Sequence, residues 1–221
     1  MKIVDIRNLV FSFSSAGEPV INDVSMTIQK DEIVGIVGPS GSGKSTLLRL
    51  IAGLEMPWQG SIYIAEKPVV TDKLFVQPEN RGVGMVFQDY ALFPHMTVKE
   101  NIMFGLSRLP RREREPRVAE MLELVKMDKF SERYPHELSG GQQQRIALAR
   151  ALAPKPNVLL MDEPFSNLDA DLKAEIRADL CVILKKANMT CMVVTHDQED
   201  VEAICDRRIT MGQRQKEDES H

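Results

Sequence analysis

This 221-residue sequence predicts an α/β fold, with a mostly parallel core sheet, an N-terminal antiparallel β-subdomain and an α-helical subdomain. Three observations predict it. Short aliphatic runs at residues 33–37, 84–87, 158–161 and 191–195 suit strands buried on both faces. Near the amino end Val4 and Ile6, and then Val24, Met26 and Ile28, alternate with polar neighbours, the pattern of half-buried antiparallel strands. Between Asp89 and Ala153 the apolar spacing turns helical, with Val118, Met121, Leu122 and Val125 on one stripe.

The first buried-type strand, 33–37, leads into Gly38, Pro39, Ser40, Gly41, Ser42, Gly43, Lys44, Ser45 and Thr46. This run fits the template G-x-x-x-x-G-K-S/T at Gly38, Gly43, Lys44 and Ser45. Leu47, Leu48, Ile51 and Leu54 follow at helical spacing, and Gly53 is a stop signal. Small residues leave backbone N–H groups free to point inward, and the helix amino end behind them favours negative charge. The Lys44 ammonium can reach the β- and γ-phosphates, and the Ser45 hydroxyl can ligate Mg²⁺. A strand, this loop and a helix in succession predict a P-loop NTPase core that binds a nucleotide.

The other elements are placed around that core. Phe13 ends the first strand region before a turn cluster at 14–19, either covering a small core or stacking on an adenine ring. Trp58 sits in the next turn, where loop packing is the simpler role. The strand at 84–87 ends at Gln88, whose amide can ligate Mg²⁺ or orient water. Ser139, Gly140, Gly141 and Gln142 open a helix, which makes either a second anion cradle or a plain N-cap. The strand at 158–161 ends in Asp162 and Glu163, and the carboxyl ends of such strands are where α/β sheets place chemistry. Asp162 could hold Mg²⁺ through water, and Glu163 could polarise an attacking water. His196 stands just beyond the strand at 191–195, in position to contact a γ-phosphate.

Bulk properties exclude several classes. Lys plus Arg number 28 and Asp plus Glu 32, a net charge of −4, so nothing draws the chain generally to nucleic acid or anionic lipid. The one basic cluster, Arg108 to Arg114, is interrupted by Pro110 and Glu113 and reads as a solvated loop. Cys181, Cys191 and Cys205 have no C-x-x-C spacing and suit reduced, buried thiols in a cytosolic protein. The amino end has no apolar signal region, and no apolar run is long enough to cross a bilayer, so a soluble chain is expected.

Taken together, the motifs resemble those of the ATP-binding subunit of an ABC transporter. They are GPSGSGKST at 38–46, the glutamine loop VFQDYALFPHMTV at 86–98 and the signature LSGGQQQR at 138–145. VLLMDEP at 158–164, SNLD at 166–169 and VTHD at 194–197 follow in the same order. The resemblance runs from about Ile3 to Met211. It implies a single ATP-binding domain over 1–221. Residues 1–87 and 155–221 would form the core with its β-subdomain, and 88–154 the helical subdomain bearing the signature.

The resemblance also implies that two such domains pack head to tail around two ATP molecules, most simply as a homodimer. Ser139, Gly140 and Gly141, with Gln142 beside them, would then meet the γ-phosphate bound by the partner's P-loop. Phe13 would stack on adenine, Glu163 act as general base, His196 sense the γ-phosphate and Asp169 make contact across the dimer. Ser45, Gln88 and Asp162 would hold Mg²⁺. The segment Tyr90, Ala91, Leu92, Phe93, Pro94 and His95 would receive a short cytoplasmic helix of a separate membrane permease.

These features imply a peripheral protein at the cytoplasmic face of the inner membrane, working with a periplasmic or lipoprotein solute-binding protein and without nucleic acid. The wording ALFPHMTVKENI and EPFSNLDADL resembles importers for ferric iron, polyamines, sulfate and thiamine, with ferric iron the first expectation. A soluble ABC-type ATPase in DNA repair or translation is the alternative. The first would need a long coiled coil between P-loop and signature, and the second two cassettes. A GTPase would need an Asn-Lys-x-Asp motif, which is absent. Residues 207–213 break the family's pattern of a second hairpin, and no C-terminal regulatory domain is expected.

Overall fold

A computed structural model describes residues 1–14, 17–168 and 170–212, with the side chains of 170–172 excepted. Two five-stranded sheets divide the strands by pairing type. The first sheet is antiparallel and has the order β2 (Ile21–Gln29), β1 (Lys2–Phe11), β4 (Gln59–Ile64), β5 (Lys67–Thr71), β6 (Leu74–Phe75). The second is wholly parallel, with the order β10 (Arg207–Thr210), β3 (Ile33–Val37), β9 (Cys191–Val194), β8 (Val158–Asp162), β7 (Val83–Val86).

The centre of the parallel sheet is buried on both faces, because β3, β9 and the first four residues of β8 are apolar throughout. Along β8, Val158 and Leu160 join one apolar core with Val34, Ile36, Met192 and the antiparallel sheet. Leu159 and Met161 face the other core, with Cys191, Val193 and the helices. Three of those helices, α2 (Val98–Phe104), α3 (Arg111–Leu124) and α4 (Gly140–Leu152), pack on one another between β7 and β8 in the chain. Helices α5 (Ala170–Lys186) and α6 (Gln198–Ile204) flank β9 in sequence and contact each other.

Helix α1 (Lys44–Ala52) follows the glycine loop and is clamped at both ends by left-handed glycines, Gly43 (φ 87°) and Gly53 (φ 85°). Such backbone is open to glycine without the steric cost of a Cβ. Leu47, Leu48, Leu50 and Ile51 are fully buried, each contributing about 1.5–3 kcal/mol of apolar burial. The helix is thereby held against β7 and β8.

Two expectations are corrected, and one strand is found that the sequence did not mark. Arg111, Arg112 and Arg114 lie in the first turns of α3 rather than in a loop. Arg207 to Thr210, where the sequence pattern breaks, form β10, paired in parallel with β3. Of the three free cysteines only Cys191 is buried, while Cys181 and Cys205 are half-buried. Among the described residues no helix is long and apolar enough to cross a membrane.

Candidate active site

The loop between β3 and α1 is shaped by close backbone approaches. A Cβ on Gly43 would lie 2.8 Å from Ile21 Cδ1 and 2.9 Å from the Val20 carbonyl oxygen, and one on Gly38 would lie 2.5 Å from the Met211 carbonyl oxygen. Side chains are therefore excluded at both template glycines. At Gly41, in contrast, a Cβ would meet nothing within 4 Å, so this part of the loop is open. The Lys44 ammonium donates to the Gly38 and Pro39 carbonyls, both at 2.9 Å. These partners are neutral carbonyls, which leaves the buried ammonium facing any anion at the helix amino end.

Parallel strands bring the acidic pair and His196 to the same rim. The β8 carboxyl end places Asp162 Oδ1 2.7 Å from the donating Ser45 hydroxyl. Glu163 leaves the strand with φ 48°, a left-handed backbone that costs a non-glycine residue about 1–3 kcal/mol. That geometry is held by the Glu163 N–H donating to the Val194 carbonyl (2.9 Å) and by the Ser166 hydroxyl donating to the Glu163 carbonyl (3.0 Å). His196, one residue past Thr195 beyond β9, has Nδ1 2.7 Å from Glu163 Oε2. The acid and the imidazole thus form a pair.

Phe13, Val20, Ser40, Gly41, Gly43, Lys44, Ser45, Thr46, Gln88, Glu163, Ser166 and His196 line one cleft of about 520 Å³. That is a size suited to a small-molecule ligand. Phe13 is 62% exposed and meets Phe11 edge-on at 4.9 Å, so its ring faces are not used up in a core. Gln88 is fixed through its carbonyl, which accepts from Asn167 Nδ2 at 2.8 Å.

Ser139, Gly140, Gly141 and Gln142 are not in this cleft. They form the amino end of α4, where Ser139 and Gln142 cap each other reciprocally through Oγ (3.4 Å) and Oε1 (3.0 Å). Asp169 lies outside the described residues. Two cleft residues were not singled out in the sequence, Val20 and Ser166. Ser166 was within reach because it opens the SNLD run, whereas Val20 had no signal beyond its apolar character.

The donors near Ser45 fit a magnesium ion. A hydroxyl, the Asp162 carboxylate and the Gln88 amide are hard oxygen ligands, and Mg²⁺ usually takes one or two carboxylates and leaves other positions to phosphate and water. Among the described residues no group of three or more His, Cys, Asp or Glu side chains could hold a metal.

A glycine loop feeding a helix, an acidic strand end and a histidine around one cleft define a P-loop nucleotide-binding domain. Residues 21–166 match the family described as ABC transporter. The chain is 47% identical over 212 residues to the putrescine transport ATP-binding protein PotG of Escherichia coli (strain K12), covering 95% of this chain and 55% of that protein. It is 48% identical over 216 residues to the sulfate/thiosulfate import ATP-binding protein CysA of Thermosynechococcus vestitus, covering 97% and 62%. The chain thus spans little more than half the length of these curated relatives.

Among solved structures it resembles a dimeric ATP-binding cassette in a post-hydrolysis state bound to ADP and Pi (TM-score 0.79, 34% identity, 94% of each chain). It also resembles cbiO1 of Clostridium perfringens, part of the ABC transporter complex cbiONQ (TM-score 0.83, 30% identity, 95% of this chain and 84% of that one). The chain belongs to the ABC transporter family, as an ATP-binding domain.

Proposed function

We propose that this chain binds ATP with Mg²⁺ and hydrolyses it to drive a solute through separate membrane permease subunits. The observation that carries the reading is the Glu163–His196 pair at 2.7 Å, set across one cleft from Lys44 and Ser45. In that arrangement Lys44 and the loop amides bind the β- and γ-phosphates. Glu163 takes the proton from the water that attacks the γ-phosphorus, and ADP leaves with phosphate as the second product. His196 keeps Glu163 aimed and contacts the γ-phosphate. Ser45, Asp162 and Gln88 would hold Mg²⁺, which supplies charge neutralisation at the phosphates. Phe13 offers a π-face to adenine.

The separation of Ser139, Gly140, Gly141 and Gln142 from the cleft supports a head-to-tail homodimer. In it the signature of one subunit would complete the P-loop site of the other, with Asp169 at the contact. A docking place for the permease is supported by a groove of about 420 Å³ lined by Phe87, Ala91, Phe93, Phe104 and Arg150. Its floor is built rigidly. Arg150 donates to the Tyr90 (2.9 Å) and Ala91 (2.7 Å) carbonyls, and Asn101 Nδ2 donates to those of Phe93 (3.1 Å), Met96 (3.1 Å) and Thr97 (3.0 Å).

The direction is import, in a system with a solute-binding protein, and the place of action is the cytoplasmic face of the inner membrane. The cargo is a small solute of the class named for the relatives, a polyamine or sulfate, with ferric iron in the same range. The domain division at residues 88 and 154 belongs to the same proposal. To test it, ATP turnover by the purified chain is measured with Mg²⁺ and after chelation. Mg²⁺-dependent turnover is expected, and failure to bind ATP at millimolar concentration overturns the reading.

A further inference from the structure

One buried cation that the site description leaves unused binds the turn that follows His196. Arg177, on α5 and 8% exposed, spreads its guanidinium over three carboxylates. Nε donates to Asp200 Oδ1 at 2.6 Å, Nη1 to Glu199 Oε2 at 2.9 Å and Nη2 to Asp197 Oδ2 at 2.9 Å. The second oxygen of Asp200 accepts from the Thr195 hydroxyl at 2.7 Å, and that hydroxyl accepts from the Asp197 N–H at 3.1 Å. Thr195 and Asp197 are the two residues that flank His196 in the chain.

We propose that Arg177 is a positioning residue for His196, setting the 2.7 Å approach of its ring to Glu163 through the network Arg177–Asp200–Thr195–Asp197. The proposal rests on the ATP-hydrolysing role of the Glu163–His196 pair. The His196 side chain is 71% exposed, so packing does not hold the ring in place. Its location follows from the backbone at 195–197, which the network pins from both sides. The planar fork of arginine meets three acceptors in fixed directions, whereas a lysine would offer a single point of charge. Helix α5 also follows the loop that starts at Glu163, so the same helix is tied to both members of the pair: to Glu163 through the chain and to His196 through Arg177.

A role confined to fastening α6 onto α5 would affect stability and leave the geometry of the pair alone. The 221-residue chain and its Arg177→Met, Arg177→Lys and Asp200→Asn variants are compared at a temperature where circular dichroism shows each to be folded. The readouts are KM for ATP, kcat and the ¹⁵N resonances of the His196 ring, which report its hydrogen bond to Glu163. In Arg177→Met, kcat falls about 10- to 100-fold, the scale of a catalytic group displaced by about an ångström. KM changes by less than about 3-fold, because the phosphate loop is untouched. The Nδ1 resonance moves to the position it takes in Glu163→Ala.

Arg177→Lys falls between wild type and Arg177→Met on all three readouts, and Asp200→Asn shifts the same resonance in the same direction. An unchanged His196 resonance in the folded variants, or a loss of kcat that only follows the folded fraction, overturns the proposal. If Arg177→Met does not fold, the other two variants decide it. If the wild-type chain turns over no ATP, the proposed function fails, and the resonance alone still decides whether Arg177 positions the ring.

Discussion

At the scale of single residues, the site depends on side chains whose placement is set by strand ends. Glu163 is the sharpest case, since it takes a left-handed backbone (φ 48°) to leave β8 and still meets His196 at 2.7 Å. Glu163→Gln keeps the size and removes the base. ATP binding should persist, while kcat falls by about 10²- to 10⁴-fold, a barrier increase of about 3–5 kcal/mol. Steady-state turnover alongside a fluorescent-ATP titration checks this, and near-normal turnover would remove Glu163 from its role. Most of the cleft residues were legible in the sequence because they sit at a strand end or in a glycine template, where residue type and chemistry coincide, whereas Val20 carried no such signal. Arg177 was not legible. An arginine on an amphipathic helix looks solvated until the fold brings Asp197, Glu199 and Asp200 around it.

At the scale of elements, two arginines, one buried and one exposed, hold the P-loop helix and the core-sheet edge. Arg81, 3% exposed, donates Nη1 to the Leu50 (2.8 Å) and Ile51 (3.0 Å) carbonyls at the end of α1 and Nε to the Val76 carbonyl (2.7 Å). Burial pushes its guanidinium pKa down to about 10, so it stays charged at neutral pH. Arg81→Met strands those helix-end carbonyls and should destabilise the fold by about 3 kcal/mol in urea titration. A variant within about 0.5 kcal/mol of wild type would show that water replaces the guanidinium at no cost.

At the edge, Arg207 of β10 donates Nε to Glu32 Oε1 at 2.7 Å. Burial pushes the Glu32 carboxyl up, but hydrogen bonds from Arg207 and the Gln29 amide more than offset this and leave it below its ordinary value. Its stabilising effect is therefore full above the ordinary carboxylate range and is lost as pH falls through the lowered folded value. The stability difference between wild type and Arg207→Ala should shrink as the pH is lowered below about 4. A difference that stays constant down to pH 2 would show that the pair contributes no linkage. Strand β10 itself was hidden in the sequence. Two of its four residues are arginines and three are exposed, so no alternation or apolar run marks it, and only backbone pairing with β3 defines it. Helix α3 was masked in the same way at its amino end, where basic residues and Pro116 conceal a helix that the buried stripe at Val118, Met121 and Leu122 establishes further on.

At the scale of the whole molecule, one chain builds the cleft while the capped α4 terminus lies outside it, and the proposed dimer would join the two. Loop amides and Lys44 face the cleft from one side, and Ser139, Gly140 and Gly141 present a second helix amino end elsewhere on the surface. If each ATP is closed by the signature of the other subunit, defects in the two halves must complement in a defined way. Lys44→Ala ruins both sites of its homodimer, and Ser139→Arg, which fills the second anion cradle, ruins both of its own. In a mixed dimer both defects fall into one composite site, and the other site joins an intact Lys44 to an intact Ser139. Two inactive preparations mixed at equal amounts and allowed to exchange subunits should therefore regain activity. Random exchange makes about half the dimers mixed and restores up to roughly a quarter of the wild-type sites. A chain carrying both substitutions must not complement itself, and mixing it with either single variant must restore nothing. Activity that stays absent in the mixture of single variants, with subunit exchange verified by differently labelled chains, would falsify shared sites and leave each chain to bind and cleave ATP alone.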